Sequence, residues 1–478
     1  MRTHEGLFAG IFGRGGVDTG DQAWLQALLD TEAALARALE RAGLAEPGAG
    51  ATVTAAAQAE AFDTAELGRQ AMLTGNPVPA LVRELTRMVP PDAAGAVHKG
   101  ATSQDIMDTA AMLLARQALS AVAADLSAAA SAAAELAAAH RDTLMIGRTL
   151  LQQAVPVTFG LVAAGWLTGL DDAREAVARV RAGRLAVQFG GAAGTLASLG
   201  GDGQRVAGLL ADELGLARPV LPWHTDRLRV LDVAGAAAGA AAMLGKAARD
   251  ITLLAQSEVA EVREGDGAGP GSRSPGSRSA GSQSAGSQGG ARGGSSAMPH
   301  KRNPVGAVAL LGCTRQVPGL LATLAAAAEQ EHQRAAGAWH AEWEPFSDLL
   351  RLTGSAASWG AELLAGLEVD PARMRQNLDD ARGLPLAERV ASLLAPALGP
   401  IAAHDLVAQA SARAACAGQQ LRDSLLGTPD IRQRLDEAGI APEQVESALD
   451  PAGYLGSAGD FVDAALTAHA AVHARLAP

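Results

Sequence analysis

The stretch Gly293–Val305 reads GGSSAMPHKRNPV, and its order decides how the rest of the chain is read. Paired glycines and serines make a flexible, hydroxyl-rich loop whose backbone can close over a bound molecule. Met298 and Pro299 stiffen its far end, and Lys301 and Asn303 bring a charge and an amide to the place where a helix is expected to start. Asn303 suits the N-cap and Pro304 the first helical position, so the helix points free N–H groups back at the loop. A helix N-terminus beside a lysine is a ready site for a carboxylate or phosphate. A Ser/Gly linker running into a helix is the simpler alternative, but an ordered SSAMPHKRNP run inside a long apolar chain argues against it.

Around this loop the chain is apolar and nearly devoid of aromatics. Of its 478 residues 48% are hydrophobic and only 3% aromatic, so alanine supplies much of the apolar content. Alanine-rich segments with leucine at helical spacing suit long, close-packed helices. Segments 104–140, 153–188, 225–263 and 305–333 each exceed the usual helix length, and such helices belong to a bundle shared between subunits. Trp24, Leu25, Leu28, Leu35 and Leu39 share one face of an amphipathic helix over 21–44, ending near Gly43. No segment alternates convincingly as a strand. The expected fold is all-α: a small N-terminal helical domain over 1–103, a central long-helix bundle over 104–365 and a small helical domain over 366–478. Within the bundle, the Gly/Ser-rich tract 265–294 cannot bury a core and is expected to be a disordered insertion.

The net charge of −12 argues against nucleic acid as a partner, while a cleft that gathers the cations can still bind anions. The start, MRTHEGLFAG, lacks the apolar core of a signal peptide. The run Val233–Gly245 is shorter than a membrane span. A cytoplasmic protein without a membrane partner is expected, with Cys313 and Cys416 as small core residues rather than a disulfide. The spacing of His, Cys and carboxylates supports no metal site, and no cofactor is expected.

The opening loop resembles the signature GSSxMPxKxNP of the fumarase/aspartase superfamily, through Gly294, Ser295, Ser296, Met298, Pro299, Lys301, Asn303 and Pro304. That resemblance implies that Ser295 is the general base removing a proton alpha to a carboxylate. A serine hydroxyl can do so only where water is excluded and N–H dipoles with Lys301 stabilise the alkoxide. Ser296 and Met298 then help hold the substrate. A second run, His98–Ala110, reads HKGATSQDIMDTA and resembles the superfamily's TSxDxxDTA region. Thr102 and Ser103 are plain N-caps by themselves; beside the Ser295 loop they become carboxylate binders, with Asp105 and Asp108 structural. His98 can carry charge or a proton near neutral pH and is a catalytic candidate, a satisfied hinge histidine being the alternative. In QFGGAAGT, the glycines of 188–195 are expected to allow close packing, with Thr195 a weaker contact.

A third run, Met145–Gly160, reads MIGRTLLQQAVPVTFG. In amine-eliminating members the comparable run is GRTHxQxA, whose histidine helps protonate the departing amine; aligned on Gly147, Arg148, Thr149, Gln152 and Ala154, Leu150 stands in its place. An aliphatic side chain cannot protonate a leaving amine, whereas a leaving carboxylate is stable unprotonated. This departure, GNPV at 75–78, GAWHAEW at 337–343 and LDPAGYLGSAGDFVD at 449–463 are similar to the bacterial 3-carboxy-cis,cis-muconate cycloisomerase family of that superfamily. Lys99, where that family more often has tryptophan, and Glu344-Pro345 depart from its pattern. The resemblance implies lactonisation of a tricarboxylate through Ser295, with Thr102, Ser103, Thr149, Gln152 and Asn303 holding carboxylates. Arg148 is either a further carboxylate partner or a structural ion pair. It also implies a homotetramer whose active sites are shared between subunits. An adenylosuccinate-lyase-like eliminase of a fumarate-releasing substrate is the alternative, disfavoured by Leu150. Trp339, His340 and Trp343 stand at helical spacing and read as core or subunit contact.

Overall fold

The computed structural model describes residues 6–265, 293–294, 298 and 301–476. Ser295, Ser296, Pro299 and nearly all of the Gly/Ser tract therefore lie outside the described residues. In chain order the principal elements are α1 (Asp21–Arg41), α2 (Ser103–Ala139), β1 (Leu144–Thr149), β2 (Gln152–Thr158), α3 (Phe159–Gly183), α4 (Leu228–Leu254) and β3 (Val262–Glu264). They continue with α5 (Val305–Thr314), α6 (Val317–Ala327), α7 (Ala338–Ala365), β4 (Leu367–Val369), α8 (Pro371–Asp380), α9 (Ala387–Leu398), α10 (Pro400–Ala417) and α11 (Ala458–Leu476). Helix accounts for 69% of the chain, so the class is all-α as expected. Two compact units emerge, one from residues 1–127, 172–248 and 306–361, the other from 128–171, 249–305 and 362–478.

In the first unit, α1 begins with Asp21 and ends with Arg41, each complementing the helix dipole. Its C-terminus is closed by Gly43 at φ +75° and by the Leu44 N–H bonded to Leu39 O. The buried face carries Leu25, Leu28, Leu29, Leu35 and Leu39, with Glu32 among them. It packs on the short helices Ala49–Ala56 and Gly203–Leu214. Around it, Ile106, Met112 and Leu119 of α2, Val233 and Leu244 of α4, and Leu349 and Leu350 of α7 are all buried. Burying each such side chain contributes about 1.5–3 kcal/mol.

The second unit departs from expectation. The run Leu144–Thr158 is an antiparallel hairpin, pairing Leu144 with Thr158, Ile146 with Pro156, Arg148 with Gln153 and Thr149 with Gln152. The register is irregular between Ile146 and Arg148, where a Cβ on Gly147 would lie 2.7 Å from Val155 O. Only α3 of the expected helix over 153–188 is helical. A second short pair, β3 with β4, replaces the expected end of the helix over 225–263, which stops at Leu254. The expected helix over 305–333 is two, α5 and α6, with Pro318 inside the first turn of α6 restarting the spiral. Val390, Leu394, Leu406, Leu421, Leu425 and Leu435 form a local core in the C-terminal stretch. Cys313 is buried as expected, and burial pushes its thiol up to about 11; Cys416, expected in the core, is exposed.

By length and composition alone, helices Ser103–Ala139, Leu228–Leu254 and the stretch Val305–Ala326 could cross a membrane. The run Val233–Gly245, judged too short to span, is thus the middle of a helix that is not. Only 39%, 44% and 33% of their most apolar windows are buried within one chain, which leaves apolar faces uncovered.

Candidate active site

In the first unit, His98–Ser103 turns tightly into α2. His98 holds a left-handed backbone at φ +57°. Glu32, wholly buried on α1, accepts the His98 backbone N–H at 3.0 Å and meets ring Nδ1 at 2.6 Å. Burial acts to lower the imidazole pKa, but the hydrogen bond and charge of Glu32, with Asp105 behind it, outweigh this and raise it. Lys99 is exposed and donates to Leu44 O at 2.6 Å, so its ammonium is tied to the end of α1.

Asp105 is the hub of the site floor. From the third helical position it accepts the Thr102 N–H at 3.0 Å, the return half of a capping box. It also accepts the N–H groups of Gly190 and Gly191, at 3.0 and 2.9 Å, and meets His224 Nε2 at 2.6 Å. A Cβ on Gly190 would lie 2.6 Å from the His224 ring, so the glycine turn is there for close packing, as its composition implied. Thr102 and Ser103 are half-buried on this floor, and Thr195 is exposed.

Below the floor, Arg227 is buried between two carboxylates. It bonds Asp108 at 2.7 and 3.0 Å and Glu342 at 2.6 and 3.0 Å, and Trp339 Nε1 donates to Asp108 at 3.1 Å. Burial opposes the charge on Arg227, yet the two acids push its pKa up. Glu342 moves up as well, because burial outweighs its hydrogen bond and attraction to Arg227. One guanidinium cannot compensate two desolvated carboxylates, and Glu342 carries the shortfall. Of the three residues expected in the core or a subunit contact, Trp339 is buried and meets half-buried Trp343 edge to face at 4.9 Å, while His340 is exposed with its Nε2 3.0 Å from Gly75 O.

The second unit holds the remaining expected residues. Arg148 is committed to wholly buried Glu261 through paired bonds of 2.8 Å, and Asn377 shares that carboxylate at 2.8 Å. Of its two roles, the ion pair is the one filled. Thr149 and Gln152 are exposed at the hairpin tip. Between them Leu150 and Leu151 are 96% and 73% exposed, with φ of +51° and +65°. A type I′ turn requires such angles and normally uses Asn-Gly. Asn303 does not cap α5, which starts at Val305; its side-chain amide instead donates to Gly293 O at 3.1 Å. Lys301 is exposed, and its N–H bonds Met298 O at 3.0 Å. Beside them a cleft of about 1070 Å³ places Lys301, Arg302 and Asn303 in one lining with Glu258, Glu368 and Asp370.

Sequence reasoning missed Glu32, Glu261 and Arg334. Arg334 is half-buried and, among the described residues, bonds only backbone carbonyls, Gln333 O at 2.7 Å and Gly191 O at 2.6 Å. A guanidinium held by carbonyls and bonded to no carboxylate among these residues is poised for an anion. Its neighbour His332 is also left-handed, at φ +49°. Three left-handed non-glycine residues at or beside the expected runs, His98, Leu150 and Leu151, are strain of the kind that gathers at functional sites.

Known proteins resemble this chain along most of its length. A family model described as "Lyase" matches residues 18–274, and one described as "Adenylosuccinate lyase C-terminus" matches residues 383–465. A 3-carboxy-cis,cis-muconate cycloisomerase of Bradyrhizobium diazoefficiens is 43% identical over 93% of this chain and 93% of its own. A nitrosuccinate lyase of Streptomyces davaonensis is 44% identical over 93% of this chain and 90% of its own. The crystal structure of the 3-carboxy-cis,cis-muconate lactonizing enzyme from Pseudomonas putida superimposes with a TM-score of 0.85, at 41% identity, covering 98% of this chain and 99% of that one.

Proposed function

We propose that this chain, which belongs to the fumarase/aspartase superfamily of lyases, converts 3-carboxy-cis,cis-muconate to 4-carboxymuconolactone in protocatechuate breakdown by the β-ketoadipate route. The observation that carries this against an amine elimination is Leu150: in a chain 43% identical to a cycloisomerase, the position where amine-eliminating relatives place a proton donor is aliphatic. The carbon–oxygen bond formed here joins a carboxylate, whose departure in the reverse direction needs no acid.

In the forward direction one substrate carboxylate adds across a conjugated double bond. The charge pushed onto a second carboxylate makes an enolate-like dianion, and the Ser295 hydroxyl donates the proton to the adjacent carbon. In reverse, Ser295 removes that proton and the lactone carboxylate leaves. Lys301, Asn303 and the N–H groups at the start of α5 supply positive potential for the dianion. Thr102, Ser103, Thr149 and Gln152 hold the remaining carboxylates, with His98 as a charged partner. Arg334 brings a guanidinium to the glycine-turn floor, the part left open once Arg148 is paired. The uncovered apolar faces of the long helices and the exposed leucines of the hairpin support a homotetramer with sites shared between subunits. A cytoplasmic location with neither membrane nor nucleic-acid partner fits such metabolic relatives.

A second reading has its own support in the nitrosuccinate lyase that is 44% identical. Elimination across nitrosuccinate would release nitrite, another weakly basic anion that departs unprotonated, so Leu150 is compatible with both. Parallel assays decide: loss of diene absorbance on 3-carboxy-cis,cis-muconate, and nitrite release from nitrosuccinate. Fast bleaching without nitrite is the expected result; nitrite without bleaching replaces the first reading by the second. With whichever substrate turns over, Ser295→Ala is expected to abolish turnover and leave the fold intact.

A further inference from the structure

We propose that Glu32 is a positioning residue, which orients the His98 imidazole through Nδ1 and keeps it cationic so that Nε2–H is presented to a substrate carboxylate. The proposal rests on placing the His98 turn in the substrate site.

Glu32 sits in the middle of α1 with its side chain wholly buried, a place where a carboxylate is rarely found without a partner. Both of its oxygens are used on one residue: Oε1 meets His98 Nδ1 at 2.6 Å and Oε2 accepts the His98 N–H at 3.0 Å. The second bond holds a backbone that a histidine does not favour, at φ +57°. The first bond fixes the ring: with Nδ1–H turned to the carboxylate, only Nε2 remains for a ligand. A scaffold needing only a hinge at residue 98 would take glycine there and no buried acid on α1. The charged groups acting on the ring are Glu32 on α1 and Asp105 on α2. Adjacent Lys99 is turned to Leu44 O and does not oppose them.

The sign of the pH effect follows. Burial alone would discharge the ring, whereas the two carboxylates favour its charged form and raise its pKa. His98 is therefore cationic up to a higher pH than an isolated histidine. Binding of a polyanionic substrate weakens as pH rises through that value, which gives kcat/KM an alkaline limb. Removing the Glu32 charge moves the limb toward acid pH.

The experiment measures the His98 titration by NMR of protein carrying 13C-labelled histidine, assigned with His98→Asn, in the wild type and in Glu32→Gln. In wild type His98 should titrate above the ordinary 6.5; in Glu32→Gln it should fall by about one unit or more. The alkaline limb of kcat/KM should move by the same interval, giving about a tenfold loss above the new limb. Glu32→Asp keeps the charge one methylene further away, and should shift both readings partway with the fold retained. If Glu32→Gln does not fold, Glu32→Asp alone decides. An unchanged His98 titration in the variant overturns the proposal, and so does a shifted titration with an unmoved limb. The NMR reading needs no substrate, so a chain that turns over nitrosuccinate rather than the muconate leaves it standing while removing the first functional reading.

Discussion

Replacing Arg227 by methionine removes the cation that bridges two buried carboxylates. The Arg227 side chain is 2% exposed and those of Asp108 and Glu342 are 4% and 5%, so none of them recovers water as a partner. Five charge-assisted bonds of 2.6–3.2 Å are lost, two to Asp108 and three to Glu342. Breaking a buried pair from one side costs about 3–5 kcal/mol, chiefly because the remaining charge is uncompensated. Here two remain, and the expected loss lies at the upper end of that range. Arg227→Met with Asp108→Asn and Glu342→Gln should recover most of it, since an uncharged core of similar volume is near neutral in cost. The loss also depends on pH. Without the guanidinium, burial acts unopposed on Glu342, whose pKa it already raises above the unfolded value. Such a group contributes stability below its unfolded pKa and loses it as pH climbs toward the folded one. The deficit against wild type should therefore shrink near pH 5 and grow toward pH 8. Urea unfolding followed by tryptophan fluorescence at several pH values measures it, with Trp223 and Trp339 beside the network. A single variant within about 1 kcal/mol of wild type, or a triple variant no better than the single, would refute this account.

Glu342→Gln keeps an oxygen acceptor for Arg227 and cannot titrate. Because burial raises the Glu342 pKa from its ordinary 4.5, the wild type loses stability upward from that pH, and the variant's urea midpoint should fall less steeply over the same range. Arg334→Ala removes a guanidinium anchored by Gly191 O and Gln333 O; KM should rise at least tenfold with the unfolding free energy within about 1 kcal/mol of wild type, and an unchanged KM would take Arg334 out of the site. Substituting Leu150-Leu151 by Asn-Gly relieves a left-handed backbone that costs about 1–2 kcal/mol per leucine. Within one chain the hairpin should gain up to about 2–4 kcal/mol over the two positions, while turnover falls and the proposed assembly weakens; sedimentation of the variant as tightly assembled as wild type, with full activity, counts against any contact at the tip.

The legible parts of the sequence were those in which local pattern and tertiary role agree. The apolar spacing from Leu25 to Leu39 gave α1 within a few residues, because its caps and dipole charges point the same way. The long helices were legible from alanine and leucine, but their ends were not. The run 225–263 contains no strong stop at Leu254, where the chain turns to pair β3 with β4 from a distant segment. In the candidate site, the place of Thr102 and Ser103 at the start of α2 and the close packing of the glycine turn were readable from short-range chemistry. Glu32 was not, because a single acid among leucines in an amphipathic helix looks like any solvent-facing residue. Its meaning lies in a partner 66 positions away. Arg148 needed Glu261 for the same reason.

The hairpin is the instructive miss, and its cause bears on function. Its strands carry apolar and β-branched residues, yet the turn holds two leucines where a two-residue turn calls for Asn-Gly. A turn whose only task is to reverse the chain would shed this strain, since Asn-Gly at the same positions is more stable and more soluble. Among the described residues both leucines are open to solvent, so none of these offsets the cost. The offset must come from what meets the tip. In the proposed assembly that is a site shared with other subunits, where Leu150 denies a proton to the leaving group. On that proposal the same residue costs the lone chain stability and restricts the assembled enzyme to anions that depart unprotonated. That restriction is common to lactone opening and nitrite release, so the hairpin limits the class of leaving group, and the donors that grip the rest of the substrate must distinguish a muconate from a succinate.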